Sequence, residues 1–149
     1  MSRDRLALVD RLLRLRKLDE EREAAQLRGH VNAHSAACQR SDQAQQTLEL
    51  IGLRKARSDD SRGLDLDGYV AALQFEQVAM VERDAAAAEQ RRARDALQAA
   101  NERHGMAAAA TRVSGARHDR LTEQVRRDDE IKDADRLADL RLGTLRSES

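Results

Sequence analysis

The sequence predicts an all-α protein: a long antiparallel two-helix coiled-coil hairpin with an overhanging C-terminal helix. Three observations predict this fold. The 149 residues include no proline and are rich in Ala, Arg, Leu, Glu and Gln, which favour long helices. Apolar residues recur at steps of three and four, as on one face of a helix. One polar stretch, residues 58–68, interrupts this pattern, so we interpret residues 1–149 as a single hairpin.

The composition argues against a compact globule, a disordered chain and a nucleic-acid-binding protein. One Tyr, one Phe and no Trp leave little side-chain volume for a multilayer core, whereas Ala and Leu suit a thin two-helix seam. Disorder is the competing interpretation, but disordered chains usually combine few apolar residues with a large net charge, and here the net charge is zero. Because 27 basic and 27 acidic residues are interspersed, no broad positive field is available for phosphates.

The first helix is expected over about residues 3–57. Only Gly29 and Gly52 weaken its pattern, and each glycine costs about 1 kcal/mol relative to alanine. Steps of three and four along this helix predict a loose heptad seam with several polar members. The predicted seam is Ala24, Leu27, Val31, His34, Cys38, Ser41, Gln45, Leu48 and Gly52. The first three turns carry leucine on more than one face, which one seam does not require.

The turn is expected over about residues 58–67, where Ser, Asp and Gly concentrate. These residues bond their own backbone or accept a positive φ. Asp65 and Asp67 are both candidate N-caps, because a carboxylate accepts the free N–H groups of a first helical turn. The second helix is then expected over about residues 66–145.

The unequal helix lengths predict the overhang. At 1.5 Å per residue the helices would be roughly 80 Å and 120 Å long. If the turn centres near residue 62, Cys38 lies opposite about Ala86, and Arg3 lies opposite about Leu121. Residues after Leu121 would then have no partner in the chain, although an apolar line continues through them. This line is Val125, Ile131, Ala134, Ala138, Leu142 and Leu145, with Leu137 and Leu140 beside it.

A second apolar stretch also exceeds what a hairpin needs. Between Leu66 and Val81, eleven of sixteen residues are apolar and cover nearly the whole circumference, whereas one facing helix buries only a stripe. Either the tip folds over itself to cover them, or they form a docking patch that includes both aromatic residues of the chain.

No residues are predicted to bind a metal or a cofactor. His30, His34 and Cys38 lie four residues apart on one helix face, and His-x3-His is a zinc spacing. A closed site needs another ligand from the facing helix, where the predicted register offers Glu89 but no His or Cys. We therefore interpret the three residues as polar positions in or beside the seam.

The chain is predicted not to be an enzyme and to have no catalytic residues. Its seven glycines are scattered rather than gathered in a phosphate-binding loop. No Ser or His belongs to a nucleophile motif, and a two-helix fold has no enclosed pocket that excludes water.

A cytoplasmic location is expected. No apolar run is long enough to cross a bilayer, so no direct membrane insertion is expected. The N-terminus lacks the apolar core of a secretory signal. The single cysteine, Cys38, cannot form an internal disulfide.

The chain has a length near 150, two predicted long helices and a polar turn. An apolar segment opened by Tyr69-x-x-x-Leu73 follows the turn, and the closing segment, residues 126–136, is highly charged. In these features the chain resembles, over almost its whole length, the FliJ/YscO family of type III secretion systems, which serve flagellar export and injectisomes. The closing segment is similar to the charged C-terminal helix of that family.

The resemblance implies a central-stalk protein, similar in shape to the shaft of rotary ATPases. Its terminal end would sit in the pore of the hexameric export ATPase, while its tip side would communicate with the export gate protein. Members are also described as escorts for export chaperones. The implied ATPase contacts are Leu6, Leu8, Leu12, Val125, Ile131, Leu137 and Leu142. The implied gate or chaperone contacts are Tyr69, Leu73 and Phe75.

Two other functions are considered. A generic coiled-coil scaffold would self-associate through the apolar stripes that the hairpin leaves exposed. A helix that lies on a lipid surface is disfavoured, because acidic residues are interspersed and no face is rich in Trp or Phe.

Overall fold

The computed structural model describes residues 2–60 and 65–148, and nearly all of these residues are helical. Helix α1 spans Ser2–Asp60 and helix α2 spans Leu66–Ser147. The two helices pack against each other, and the described residues include no strand. The predicted all-α class with two long helices is confirmed.

α1 extends further than the sequence predicts. Residues 58–60 were expected in the turn, but α1 continues to Asp60. The Ser58 hydroxyl donates a 3.1 Å hydrogen bond to the Arg54 carbonyl, so it bonds within the helix and does not form a turn. Residues 61–64 of the predicted turn lie outside the described residues.

α2 begins at a capped first turn. The backbone N–H of Gly68 donates a 3.1 Å hydrogen bond to Asp65 Oδ1, which makes Asp65, one of the two predicted candidates, the N-cap. A side chain at position 68 would collide with this carboxylate, so the glycine keeps room for the cap. The cap explains why α2 starts at Leu66, as predicted.

The chain divides into two compact units. The terminal unit combines Met1–Glu23 with His104–Ser149, and the central unit is Ala24–Arg103. Each unit contains part of α1 and part of α2.

In the central unit, α2 packs through alanines spaced seven residues apart. This alanine row consists of Ala72, Ala79, Ala86, Ala93 and Ala100. Four of the five are buried, and Ala100 is 0% exposed. A row of larger, half-buried residues alternates with it at steps of three and four: Tyr69, Glu76, Arg83, Gln90 and Leu97. Small side chains allow two helix axes to approach closely, so the seam is thin.

The facing surface of α1 in this unit follows the same seven-residue spacing. One row is Leu27, His34, Ser41, Leu48 and Lys55, and the other is His30, Ala37, Ala44, Ile51 and Ser58. All ten residues are buried or half-buried. Ion pairs join Arg40 with Glu89 and Lys55 with Glu76. The residue further along α1 thus pairs with the residue earlier in α2, so the helices run antiparallel in this unit.

The predicted seam of α1 is therefore half right. The row that contains Leu27 and Leu48 is confirmed. The other row was predicted one residue too late, because Val31, Gln45 and Gly52 are exposed while their preceding neighbours face α2. Facing the alanines of α2, the small Ala37 is 1% exposed, whereas the larger Cys38 beside it is only half-buried.

In the terminal unit the helices also run antiparallel. Arg3 forms a 3.1 Å ion pair with Asp129, and the Thr111 hydroxyl donates a 3.1 Å hydrogen bond to the Arg16 carbonyl. Val9 and Ser114 are buried in this contact.

The pairing register differs from the predicted one in both units. Gln90 Nε2 lies 3.4 Å from the sulfur of Cys38, where Ala86 was expected. Arg3 meets Asp129 instead of Leu121. The extension of α1 to Asp60 moves the partners further along α2, and long side chains such as Arg3 reach still further along the axis.

No helix among the described residues is both long and apolar enough to cross a membrane.

Candidate interaction surfaces

The thin seam leaves many large apolar side chains outside. In the central unit the exposed ones are Val31, Leu50, Leu53, Leu66, Val70, Phe75, Val78, Met80 and Val81. In the terminal unit they are Leu8, Leu15, Leu18, Met106, Val113, Ile131, Leu137, Leu140, Leu142 and Leu145. Exposed apolar residues that cluster can mark protein-binding sites, so these residues are the candidates for such surfaces.

The most continuous surface lies at the end of α2. Every residue from Glu130 to Glu148 is exposed, although the helix continues to Ser147. We call residues 130–147 the exposed segment. Five of its residues are large and apolar: Ile131, Leu137, Leu140, Leu142 and Leu145. An ion pair between α1 and α2 in the terminal unit, between Arg3 and Asp129, lies just before it.

The exposed segment begins later than predicted. Residues after Leu121 were expected to lack a partner, but Val125 and Asp129 are half-buried. The first turn of α1 reaches this part of α2, because Ser2 and Arg3 line a groove together with Val125 and Asp129. Val125 is therefore covered by the chain itself, which corrects its place in the predicted overhang.

The seven predicted ATPase contacts fall into two groups. Leu8, Ile131, Leu137 and Leu142 are exposed. Leu6, Leu12 and Val125 are half-buried. The first group presents most of its side chains to solvent, while the second group contributes mainly to the packing of the terminal unit.

The terminal unit also has a basic and apolar groove between the first turns of α1 and residues 117–121 of α2. Leu8 and Leu121 form its apolar part, and Arg5, Arg117 and Arg120 surround them. Of the leucines in the first turns, Leu8 therefore lies on the surface beside arginines, and Leu15 and Leu18 are also exposed.

The predicted gate or chaperone contacts differ in exposure. Phe75 is 64% exposed, whereas Tyr69 and Leu73 are half-buried. The ammonium of Lys55 lies 5.7 Å from the centre of the Tyr69 ring and 3.1 Å from Glu76 Oε2. Tyr69 is thus part of the seam of the central unit. Phe75 belongs to the surface with Val78 and the other exposed residues near the start of α2.

His34 and Cys38 pack as polar neighbours of the central seam. His34 Nε2 lies 3.6 Å from Cys38 Sγ, and Gln90 donates to the same sulfur from α2. Gln90 is not a usual metal ligand. Across the described ranges, no three His, Cys, Asp or Glu side chains are grouped so that they could hold a metal ion.

Local ion pairs support the helix beside the exposed segment. Arg126 donates hydrogen bonds to Glu123 at 2.8 Å and to Glu130 at 3.0 Å, and Arg127 donates to Glu123 at 3.2 Å. The hydrogen bond from Arg126 lowers the pKa of the Glu123 carboxyl, and Arg127 adds to the effect. Glu123 and Glu130 raise the pKa of the Arg126 guanidinium. These interactions are exposed, so they hold the helix locally and do not bury it.

Sequence reasoning missed the alanine row. Its signal is present, since alanine recurs at every seventh position from 72 to 107. Alanine counts weakly as an apolar residue, so a search for leucine-like residues at heptad positions passes over it.

No protein-family model, curated protein or solved structure matches this chain. The surfaces described above are therefore the basis for a functional proposal.

Proposed function

We propose that the chain is a coiled-coil hairpin that serves as the central stalk of a type III secretion export apparatus. It would be a cytoplasmic accessory protein without an active site or cofactor of its own. Two things support this proposal: the resemblance to the FliJ/YscO family, and the exposed segment, a helix with five large apolar side chains that α1 leaves uncovered. The exposed segment is the observation that carries the proposal.

In this proposal the terminal unit contacts the ring of the hexameric export ATPase. The contacts we assign are Leu8, Ile131, Leu137 and Leu142, which are exposed. Leu6, Leu12 and Val125 support them from the seam. A helix that enters a ring needs apolar residues on several faces, since the ring surrounds it. Leu140 and Leu142 meet this need, because two residues at 100° each separate them by about 200°, which places them on nearly opposite sides of the helix.

The central unit would contact the export gate protein or an export chaperone. Phe75 is its strongest candidate, because large exposed aromatic side chains dominate many protein interfaces. Tyr69 and Leu73 would support Phe75 from the half-buried side of α2.

An ATPase assay tests the proposal. The purified chain is expected to hydrolyse no ATP and to stimulate hydrolysis by the partner export ATPase. A variant with Ile131→Asp, Leu137→Asp and Leu142→Asp is expected to lose the stimulation, because three charges replace the apolar contacts.

A matched variant controls for charge and helix content. Leu50→Asp, Leu53→Asp and Val78→Asp place the same three charges on exposed residues of the central unit. This control is expected to keep the stimulation. Undiminished stimulation by the first variant, with helix content confirmed by circular dichroism, would refute the exposed segment as the ATPase contact.

A self-associating coiled-coil scaffold is the second candidate. The exposed apolar residues along both units favour it, because long stripes on two helices can be covered by another copy. Light scattering across a dilution series separates the two functions. A dimer that persists on dilution indicates the scaffold, whereas a chain that becomes monomeric indicates the stalk.

A further inference from the structure

We propose that the basic and apolar groove of the terminal unit binds a short acidic amphipathic segment of a partner protein, in which carboxylates flank one large apolar side chain. The groove lies between the first turns of α1 and residues 117–121 of α2, which all belong to the terminal unit. Of its residues only Leu8 is also a proposed ATPase contact, so the binding of an acidic segment does not depend on the export-stalk function.

Both helices contribute to the groove with the same spacing. Three residues of α1 and three of α2 line it, and each set stands at positions i, i+3 and i+4, on one face of its helix. The lining residues are Arg5, Leu8 and Val9 of α1 and Arg117, Arg120 and Leu121 of α2. Each set spans about 6 Å of helix axis at 1.5 Å per residue. The groove therefore fits a short segment with one large side chain, and not a broad surface.

The charge of the groove is one-sided. Its three arginines have no carboxylate partner among the described residues, and no Asp or Glu lines the groove. Arg3, one turn of α1 away, instead pairs with Asp129 at 3.1 Å. Arg120 donates a 3.3 Å hydrogen bond to the Ala116 carbonyl, which leaves its positive charge unneutralised. In a chain with equal numbers of acidic and basic residues this is a local positive excess, and an acidic segment is its electrostatic complement.

The apolar part of the groove selects the class of occupant. Leu8 is 63% exposed, and Leu121 is half-buried beside the arginines. An amphipathic segment covers these leucines with its apolar side chain, while its carboxylates accept paired hydrogen bonds from the guanidinium groups. A nucleic acid or an anionic membrane covers no leucine with an apolar side chain of this kind. Its broad negative surface would also approach Asp128 and Asp129, about two turns beyond Leu121.

An NMR titration with a synthetic peptide tests the groove. The probe is an alanine-based helical peptide with one central leucine and a glutamate one turn before and one turn after it. Its addition at about 1 mM is expected to shift the side-chain signals of Arg5, Arg117, Arg120 and Leu8. A peptide with glutamine in place of both glutamates is expected to cause almost no shift. The absence of shifts with the acidic peptide, or equal shifts along the whole chain, would overturn the proposal.

Matched arginine variants separate the groove from general charge. The double variant Arg117→Gln and Arg120→Gln is expected to weaken peptide binding by about tenfold or more, because two of the three positive charges are removed. The control, Arg91→Gln with Arg92→Gln, removes the same charge from exposed residues of the central unit and is expected to leave binding unchanged. All four positions are exposed, and circular dichroism checks that helix content is retained. Equal weakening by both double variants would refute the groove as the binding site.

Changes to the apolar contact and to the class of probe test the occupant. Leu8→Ala is expected to weaken peptide binding several-fold, whereas Leu18→Ala, the same change on an exposed leucine outside the groove, is expected to leave it unchanged. A short DNA duplex and phosphatidylglycerol vesicles are titrated in parallel. If either perturbs the groove arginines more strongly than the acidic peptide does, or if Leu8→Ala has no effect, the groove recognises phosphate and the proposed occupant is wrong.

These titrations use the purified full chain and synthetic probes, so their outcome is separate from the ATPase assay. A chain that stimulates the ATPase but does not bind the acidic peptide would disprove the groove and leave the stalk proposal standing. A chain that binds the peptide through its groove arginines but does not stimulate the ATPase would disprove the stalk and leave the groove standing.

Discussion

The alanine row and the exposed segment lie on the same helix, but the first buries small residues while the second leaves large apolar residues exposed. In the central unit α1 covers the alanines of α2, and Ala100 is 0% exposed. In the exposed segment larger apolar residues recur at helical spacing without cover, and Leu145 is 65% exposed. Burial in this chain therefore depends on whether a partner helix is present and fits closely, and not on how apolar a residue is.

This difference sets what each region tolerates. An alanine gains little from transfer out of water, so the central seam is stabilised by many close contacts between backbones and small side chains. In such a seam we expect a smaller side chain to cost little stability and a larger side chain to cost more. The exposed segment has no seam to disrupt, so changes there are expected to alter binding to a partner and to leave the free energy of unfolding almost unchanged.

The largest expected effect is the enlargement of a seam alanine. Ala100→Leu adds three carbons to a side chain that is fully buried. We expect this overpacking to lower the free energy of unfolding by about 1–3 kcal/mol. Ala99→Leu is the control, since Ala99 is the adjacent exposed residue. Its effect is expected within about 0.5 kcal/mol. Equal destabilisation of both variants in urea denaturation would show that the alanine row is not tightly packed.

A smaller effect is expected where the terminal unit buries a larger residue. Val9 is 7% exposed, and Val9→Ala is expected to cost about 1–2 kcal/mol through lost burial and a cavity. Val113→Ala makes the same change on an exposed residue of the same unit, and we expect almost no loss of stability. If thermal unfolding shifts equally for both, the contact of Val9 with α2 is not what stabilises this unit.

The sequence predicts the fold well because its strongest signals are local. The absence of proline, the steps of three and four and the Asp65 cap depend only on neighbouring residues, and they give the two helices and the start of α2. The row of Leu27 and Leu48 is also predictable, because leucine is a strong apolar signal.

The pairing register and the extent of the exposed segment are harder to predict, because they depend on contacts between distant residues. Residues 58–60 were predicted as a turn from their Ser and Asp content, although they are helical, and this error contributes to the shift of the pairings along α2. The burial of Ala37 instead of Cys38 depends on how each side chain fits against the facing alanines, and hydrophobicity alone does not predict this fit. Val125 was assigned to the overhang because the predicted register left it without a partner, whereas the first turn of α1 covers it in the structure.

The smallest expected effect concerns the local ion pairs of residues 123–130, where the covered part of α2 passes into the exposed segment. Beyond Asp129, α1 no longer covers α2. We therefore expect interactions within α2 itself to hold this part as a helix. Glu123 accepts hydrogen bonds from Arg126 and Arg127, and the bond from Arg126 lowers the pKa of its carboxyl. A carboxyl whose pKa is lower in the folded chain stabilises the fold at pH values above its unfolded pKa. This contribution is lost as the pH falls through the folded pKa.

An NMR titration of Glu123 checks this prediction. Its midpoint is expected below that of the same carboxyl in the denatured chain, and Arg126→Gln is expected to raise it toward the denatured value, because the main hydrogen bond is removed. At neutral pH, Glu123→Gln is expected to speed amide exchange slightly over residues 123–131 and to leave exchange in the central unit unchanged, since α1 holds α2 there. Slower or unchanged exchange in residues 123–131 would mean that local ion pairs do not hold this part of the helix. The helix would then owe its order to intrinsic propensity, which the many Ala, Leu and Arg residues of the exposed segment supply.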